Sequence, residues 1–133
     1  MTYLALHHAQ KYPVRKDEVA GAEGISADYV QQIMMKLKAA DLIQSRRGVN
    51  GGFMLARAPS QITALDIVIA MEGPLAIAPC QEAECVRAGY CKTRGLWEKA
   101  SEAFKSVLAE TTVAELANDG MTGDSSKSVA FEI

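Results

Sequence analysis

Apolar residues first recur at Tyr3, Leu4, Leu6 and Ala9, a helical spacing that predicts a helix over residues 2–10. It must end before Pro13, because the residue preceding a proline is pushed out of the α region. Residues 17–22 have the composition of a second, short helix, Gly24 supplies a turn, and the Ser26 hydroxyl can cap a third helix. In that third helix Val30, Ile33, Met34 and Leu37 fall at i, i+3, i+4 and i+7, one core-facing stripe. Asp28, Gln31, Gln32, Met35 and Lys36 are left to project elsewhere. Residues 42–47 and 53–55 then predict two short strands around Gly48-Val49-Asn50-Gly51-Gly52, whose Asn-Gly pair suits a tight hairpin turn. Helix, helix-turn-helix and hairpin, in this order, predict a mainly α fold with a small β-hairpin wing, a winged helix-turn-helix over residues 1–73.

Thr63 and Asp66 read as a capping box with Asp in place of the usual Glu, opening a helix that carries Leu65, Val68, Ile69 and Met71 and stops near Gly73-Pro74. Residues 74–91 form a loop that holds every cysteine. Leu96, Trp97, Ala100, Phe104, Val107 and Leu108 then repeat with helical period over residues 93–111. An amphipathic helix of that length, outside the winged part, predicts dimerisation through Leu96, Trp97, Phe104 and Leu108, within a segment spanning residues 92–119. A two-fold dimer presents two reading helices to a palindrome. Gly, Thr, Asp, Ser and Lys dominate residues 120–133, which predicts a mobile tail despite the apolar residues between Val129 and Ile133.

Charge adds an asymmetry that the net value of -2 conceals. Residues 1–60 hold eight basic and five acidic residues, whereas residues 61–133 hold six and eleven. Lys36, Lys38, Arg46, Arg47 and Arg57 stand against Asp41 alone, a patch suited to phosphate or, on charge by itself, simply a solvated surface. Placed on a winged helix, the patch predicts double-stranded DNA as partner, with Lys36, Lys38, Arg46 and Arg47 on the backbone. Ala27, Asp28 and Gln31 then read bases from the start of the third helix. The whole chain of 133 residues, 49% hydrophobic, lacks a run near the roughly 20 apolar residues of a membrane span and has no signal-peptide pattern. The expectation is a cytoplasmic protein with no membrane partner.

Three cysteines, an odd number, favour a metal or redox site over a disulfide framework. Cys80, Cys85 and Cys91 lie close enough in sequence for three thiolates to converge. Soft thiolates select iron-sulfur clusters, zinc or Cu(I), and the spacing also allows plain redox thiols. Zinc would ordinarily show a C-x2-C pair or a nearby His, and neither is present. His7 and His8 sit far from the loop in sequence and read as ordinary helix residues. The glycines from Gly48 to Gly52 lack the Lys-Ser/Thr that follows a phosphate loop, so they read as a wing turn. No nucleophile and base stand out as a pair, and no catalytic residue is assigned.

The chain resembles the Rrf2 family of bacterial winged helix-turn-helix regulators from residue 3 to about 119. The resemblance is carried by Gly24-Ile25-Ser26, by Arg47-Gly48-Val49-Asn50-Gly51-Gly52-Phe53, by the three cysteines, and by Leu96-Trp97 and Thr112-Val113-Ala114-Glu115-Leu116. It implies a homodimeric DNA-binding transcription regulator whose cysteines hold a 2Fe-2S or 4Fe-4S cluster, its state changing DNA affinity in response to redox state, nitric oxide or cluster supply. It also implies a minor-groove contact for Arg47. The alternative is a cluster-free regulator acting as a thiol switch or protein-interaction module. Two departures stand out. Family members usually begin earlier, with a basic, apolar segment that completes the first helix. Where one member has a ligating His three residues beyond the last cysteine, this chain has Arg94, which stays protonated and cannot ligate iron. The fourth ligand is left to Glu82, Glu84, an upstream group, solvent or a small thiol.

Overall fold

The computed structural model describes residues 1–78 and 84–119. The chain forms α1 (Thr2–Leu6), a 3-10 turn (His8–Gln10), α2 (Lys16–Glu23), α3 (Ala27–Ala39), β1 (Ile43–Arg46), β2 (Gly52–Leu55), a second 3-10 turn (Pro59–Gln61), α4 (Ala64–Glu72), α5 (Arg94–Glu110) and α6 (Val113–Asp119). This is the expected winged helix-turn-helix with a long helix behind it. The first helix is shorter than its apolar pattern predicts. It breaks at His7, and Lys11 turns left-handed with φ 55° on the approach to Pro13.

Local chemistry places the helix ends. The Ser26 hydroxyl accepts from the Tyr29 backbone N–H at 3.2 Å, starting α3, and Gly24 ends α2 at φ 66°, a left-handed turn that costs glycine little. The predicted capping box is formed in full. Thr63 N–H donates to Asp66 Oδ2 at 3.0 Å and Asp66 N–H donates to Thr63 Oγ1 at 3.1 Å.

One core runs through the molecule, made of Leu4, Val14, Val19, Val30, Met34, Leu37, Leu42, Ile43, Leu55, Ile62 and Val113. Val30, Met34 and Leu37 are the inward stripe of α3. Val113 comes from beyond residues 1–73: α6 folds back onto α1, and Val113 N–H donates to the Ile62 carbonyl at 2.9 Å while Ala64 N–H donates to the Thr111 carbonyl at 2.8 Å. The C-terminal segment is thus part of the winged body.

The wing pairs β1 with β2 antiparallel, Ile43 opposite Leu55 and Arg46 opposite Gly52. Val14 adds a third, single-residue pairing. Its N–H donates to the Phe53 carbonyl at 2.9 Å, and Phe53 N–H donates to the Val14 carbonyl at 2.8 Å. That approach requires a glycine next door, since a Cβ on Gly52 would lie 2.5 Å from the Val14 carbonyl oxygen. Among the described residues no helix is long and apolar enough to cross a membrane.

Candidate nucleic-acid interface and cysteine loop

α3 is anchored on both flanks by lysines from its last turns. Lys38 Nζ donates to Ser45 Oγ of β1 at 2.7 Å, and Lys36 Nζ donates to the Met71 carbonyl of α4 at 3.0 Å. At 3.6 residues per turn these two side chains leave the helix on opposite sides, one toward the wing and one toward α4. Between them lies the outward face: Asp28, Gln32, Met35 and Ala39 are exposed, with Gln31 half-buried on the wing side and Ala27 half-buried near the cap. Asp28 and Gln32 are thus exposed on this face and Gln31 lies half-buried at its edge. Lys36 and Lys38 flank that face, each with one proton committed to a protein acceptor.

The basic patch is divided by the fold. Arg46 and Arg47 line a groove of about 660 Å³ together with Lys11, Tyr12, Arg15, Glu18, Val49 and Asn50. Arg57 instead lines a separate depression of about 520 Å³ between α3 and α4, with Lys36, Asp66 and Ile69. Four cations against Glu18 make the wing groove the more positive of the two. Lys11 and Arg15 were missed because they lie more than twenty residues upstream of the patch in sequence. Arg15 Nη2 reaches the wing tip and donates to the Val49 carbonyl at 2.6 Å. Arg46 and Arg47 make no ion pair among the described residues.

α5 packs on α4 through the side where Ser101 is buried and Leu108 half-buried. Its other apolar residues remain outside: Leu96 is 62% exposed, Val107 63%, Phe104 47% and Trp97 39%. Ala100 stands between them, so a continuous apolar stripe runs along one side of a helix about 25 Å long.

Of the three cysteines, Cys80 lies outside the described residues, as does Glu82. Cys85 and Cys91 are half-buried free thiols. Cys91 Sγ is 3.4 Å from Thr93 Oγ1, and the hydrogen bonds from the Thr93 side chain and backbone hold the thiol below its ordinary pKa, favouring thiolate. Arg94 is committed elsewhere, its Nε donating to Glu98 Oε1 at 2.7 Å. Among the described residues no three His, Cys, Asp or Glu side chains come together as a metal-binding group. The tail over residues 120–133 also lies outside the described residues.

Known proteins share both sequence and fold with this chain. The Rrf2 family model, described as an iron-dependent transcriptional regulator, matches residues 1–119. The HTH-type transcriptional regulator IscR of Vibrio atlanticus is 33% identical over 113 residues, 84% of this chain and 65% of that protein. Among solved structures, CymR, the global cysteine regulator of B. subtilis, superposes with a TM-score of 0.74 at 33% identity, covering 89% of this chain and 87% of that one. IscR of T. potens superposes with a TM-score of 0.72 at 31% identity, covering 90% and 78%.

Proposed function

Given that the chain belongs to the Rrf2 family, and is a DNA-binding transcription regulator and not an enzyme, we propose that it acts in the cytoplasm as a homodimer on a palindromic operator. The observation that carries this reading is the pairing of an outward polar face on α3 with the cationic wing groove beside it. A helix face of this size fits the major groove, and the wing then meets backbone or minor groove. Asp28 and Gln31, with Ala27 beside the cap, read bases. Arg46 and Arg47 neutralise phosphate, and Lys36 and Lys38 each keep two ammonium protons for the same purpose. Arg47 enters the minor groove, as the family resemblance implies.

Dimerisation falls to the apolar stripe of α5, with Leu96, Trp97 and Phe104 facing the second copy and Leu108 wedged between that interface and α4. Burying such a stripe removes the largest coherent apolar surface of α5 from water.

The donor chemistry fits an iron-sulfur cluster held by Cys85, Cys91 and Cys80: two thiols are free and half-buried, and one is biased toward thiolate, the form that binds iron. A bound cluster would supply redox and nitric-oxide chemistry and hold the loop in one shape. The loop joins α4 to α5, and α4 is tied to α3 through Lys36 and Met71. A change of loop shape therefore reaches both the reading helix and the dimer helix. Differential stabilisation of only about 1.4 kcal/mol shifts such an equilibrium tenfold.

Cluster-free action as a thiol switch or protein-interaction module is the second reading. It is favoured by the likeness to CymR, a cysteine regulator, and by the two free thiols. Anaerobic purification decides between them. Brown protein whose iron and sulfide disappear in Cys85→Ala, with a matching change in operator affinity, supports the cluster. Colourless protein without iron whose affinity responds to thiol oxidation supports the switch.

A further inference from the structure

We propose that Met35 is a specificity-determining residue that reads the C5-methyl group of a thymine in the major groove. The inference rests on the DNA-binding reading of α3 and deepens it.

Met35 is 54% exposed, although the helix that carries it buries Val30, Met34 and Leu37 almost completely. A singly exposed apolar residue is ordinarily unremarkable on a protein surface. This one is set apart by its surroundings. It follows Asp28 by seven residues, Gln31 by four and Gln32 by three, the spacings that put helical residues on one face. The lysine tethers fix that face: Lys38 is bound to Ser45 of the wing on one flank, and Lys36 to Met71 of α4 on the other. Met35 lies between them, among the polar groups that point away from the core.

Base edges in the major groove offer hydrogen-bond donors and acceptors at every pair, and the thymine methyl is the one alkyl group among the four ordinary bases. A methionine set against any other edge would strip water from polar atoms and return no hydrogen bond. Against a methyl group the same side chain loses nothing, and its flexible thioether can follow the groove floor. Met35 also stands about 6 Å along the helix axis from Gln31, close to two base-pair steps of about 3.4 Å. The thymine therefore belongs to a different pair from the one that Gln31 reads.

The test starts from the duplex of highest affinity that the full chain selects from a random pool. Each thymine of one half-site is replaced in turn by deoxyuridine, which keeps every hydrogen-bonding group and removes only the methyl. The expected result is a loss of about fourfold at one position, the size expected for one buried methyl group. The same replacement should be nearly silent for Met35→Ala, while that variant still loses affinity when the pair read by Gln31 is changed. Because Met35 is exposed, the variant should keep the wild-type melting curve, and Met35→Leu should retain sensitivity to the methyl. The proposal is overturned if wild type and Met35→Ala respond equally to every replacement, or if the selected half-site contains no thymine. Failure to select any duplex sinks the DNA-binding reading itself, and the Met35 assignment with it.

Discussion

Arg15 Nη2 donates to the Val49 carbonyl oxygen at 2.6 Å, so the residue that opens α2 grips the wing tip 34 positions further on. The hairpin is thereby held at both ends. Its tip is on Arg15, and its second strand is on Val14 through the two hydrogen bonds with Phe53.

Arg15→Ala should weaken binding to all DNA sequences and speed hydrogen exchange at the Gly51 amide, which sits inside the wing turn. Arg15→Lys keeps the charge but not the planar fork. Titration of fluorescent duplexes separates the two contributions, because equal affinity for Arg15→Lys and wild type would leave charge as the whole of it.

Arg46→Ala should lower affinity uniformly and reduce the slope of log K against log salt by roughly one, as loss of one phosphate contact does. Gln31→Ala should instead relax preference at one pair per half-site, against a discrimination of about 1–3 kcal/mol for a bidentate amide. An unchanged salt slope would remove Arg46 from the phosphate contacts.

Gly52→Ala drives a Cβ against the Val14 carbonyl at 2.5 Å. Backbone must give way, at a cost of about 1–3 kcal/mol. Urea denaturation should show that loss, and DNA affinity should fall as the wing leaves Val14. A variant with wild-type stability would mean that the strand can shift freely.

Phe104→Asp should yield folded monomers, since Phe104 is nearly half-exposed and its loss leaves the core intact. Sedimentation velocity reads this directly. An intact dimer would place the interface on another surface.

Glu115 closes a second capping box, at the start of α6. Its carboxylate accepts from the Thr112 backbone N–H at 2.7 Å and from the Thr112 hydroxyl at 2.9 Å, and Glu115 N–H donates to that hydroxyl at 3.2 Å. The backbone bond and then the side-chain bond from Thr112 hold the Glu115 carboxyl below its ordinary value of 4.5. A folded-state pKa below the unfolded one means that the contribution is fully present above pH 4.5 and is lost as pH falls through the folded value. Glu115→Gln should therefore flatten the acid limb of stability against pH, read from urea midpoints. Parallel acid limbs for the two proteins would discount the box.

Much of this molecule was determined by neighbours in sequence. The spacing of Val30, Met34 and Leu37, the Ser26 cap and the Thr63 and Asp66 box each involve residues a few positions apart, whereas the expected Asn-Gly turn did not form. Gly51 N–H donates to the Gly48 carbonyl at 2.9 Å, which puts Val49 and Asn50 at the centre of the wing turn, with φ positive at Gly48 and not at Asn50 or Gly51. Short-range geometry and hydrogen bonding decide the stripe, the cap and the box, so adjacent sequence is enough to read them. They made the winged helix-turn-helix and the outward Asp28 legible. Other features were decided by packing between distant segments. Val14 pairs with Phe53, Arg15 grips Val49, and Val113 returns to the core against Ile62. Lys36 and Lys38, which helical geometry sends to opposite sides of α3, meet their acceptors Met71 and Ser45 only through the packing of α4 and the wing. The early apolar run made an α-helix only as far as Leu6, continued as a 3-10 turn over His8–Gln10, and turned left-handed at Lys11. A hydrogen bond across 34 residues leaves no periodicity to read. It exists only after the core has brought its two ends together, and the cationic groove formed by Lys11, Arg15, Arg46 and Arg47 exists for the same reason.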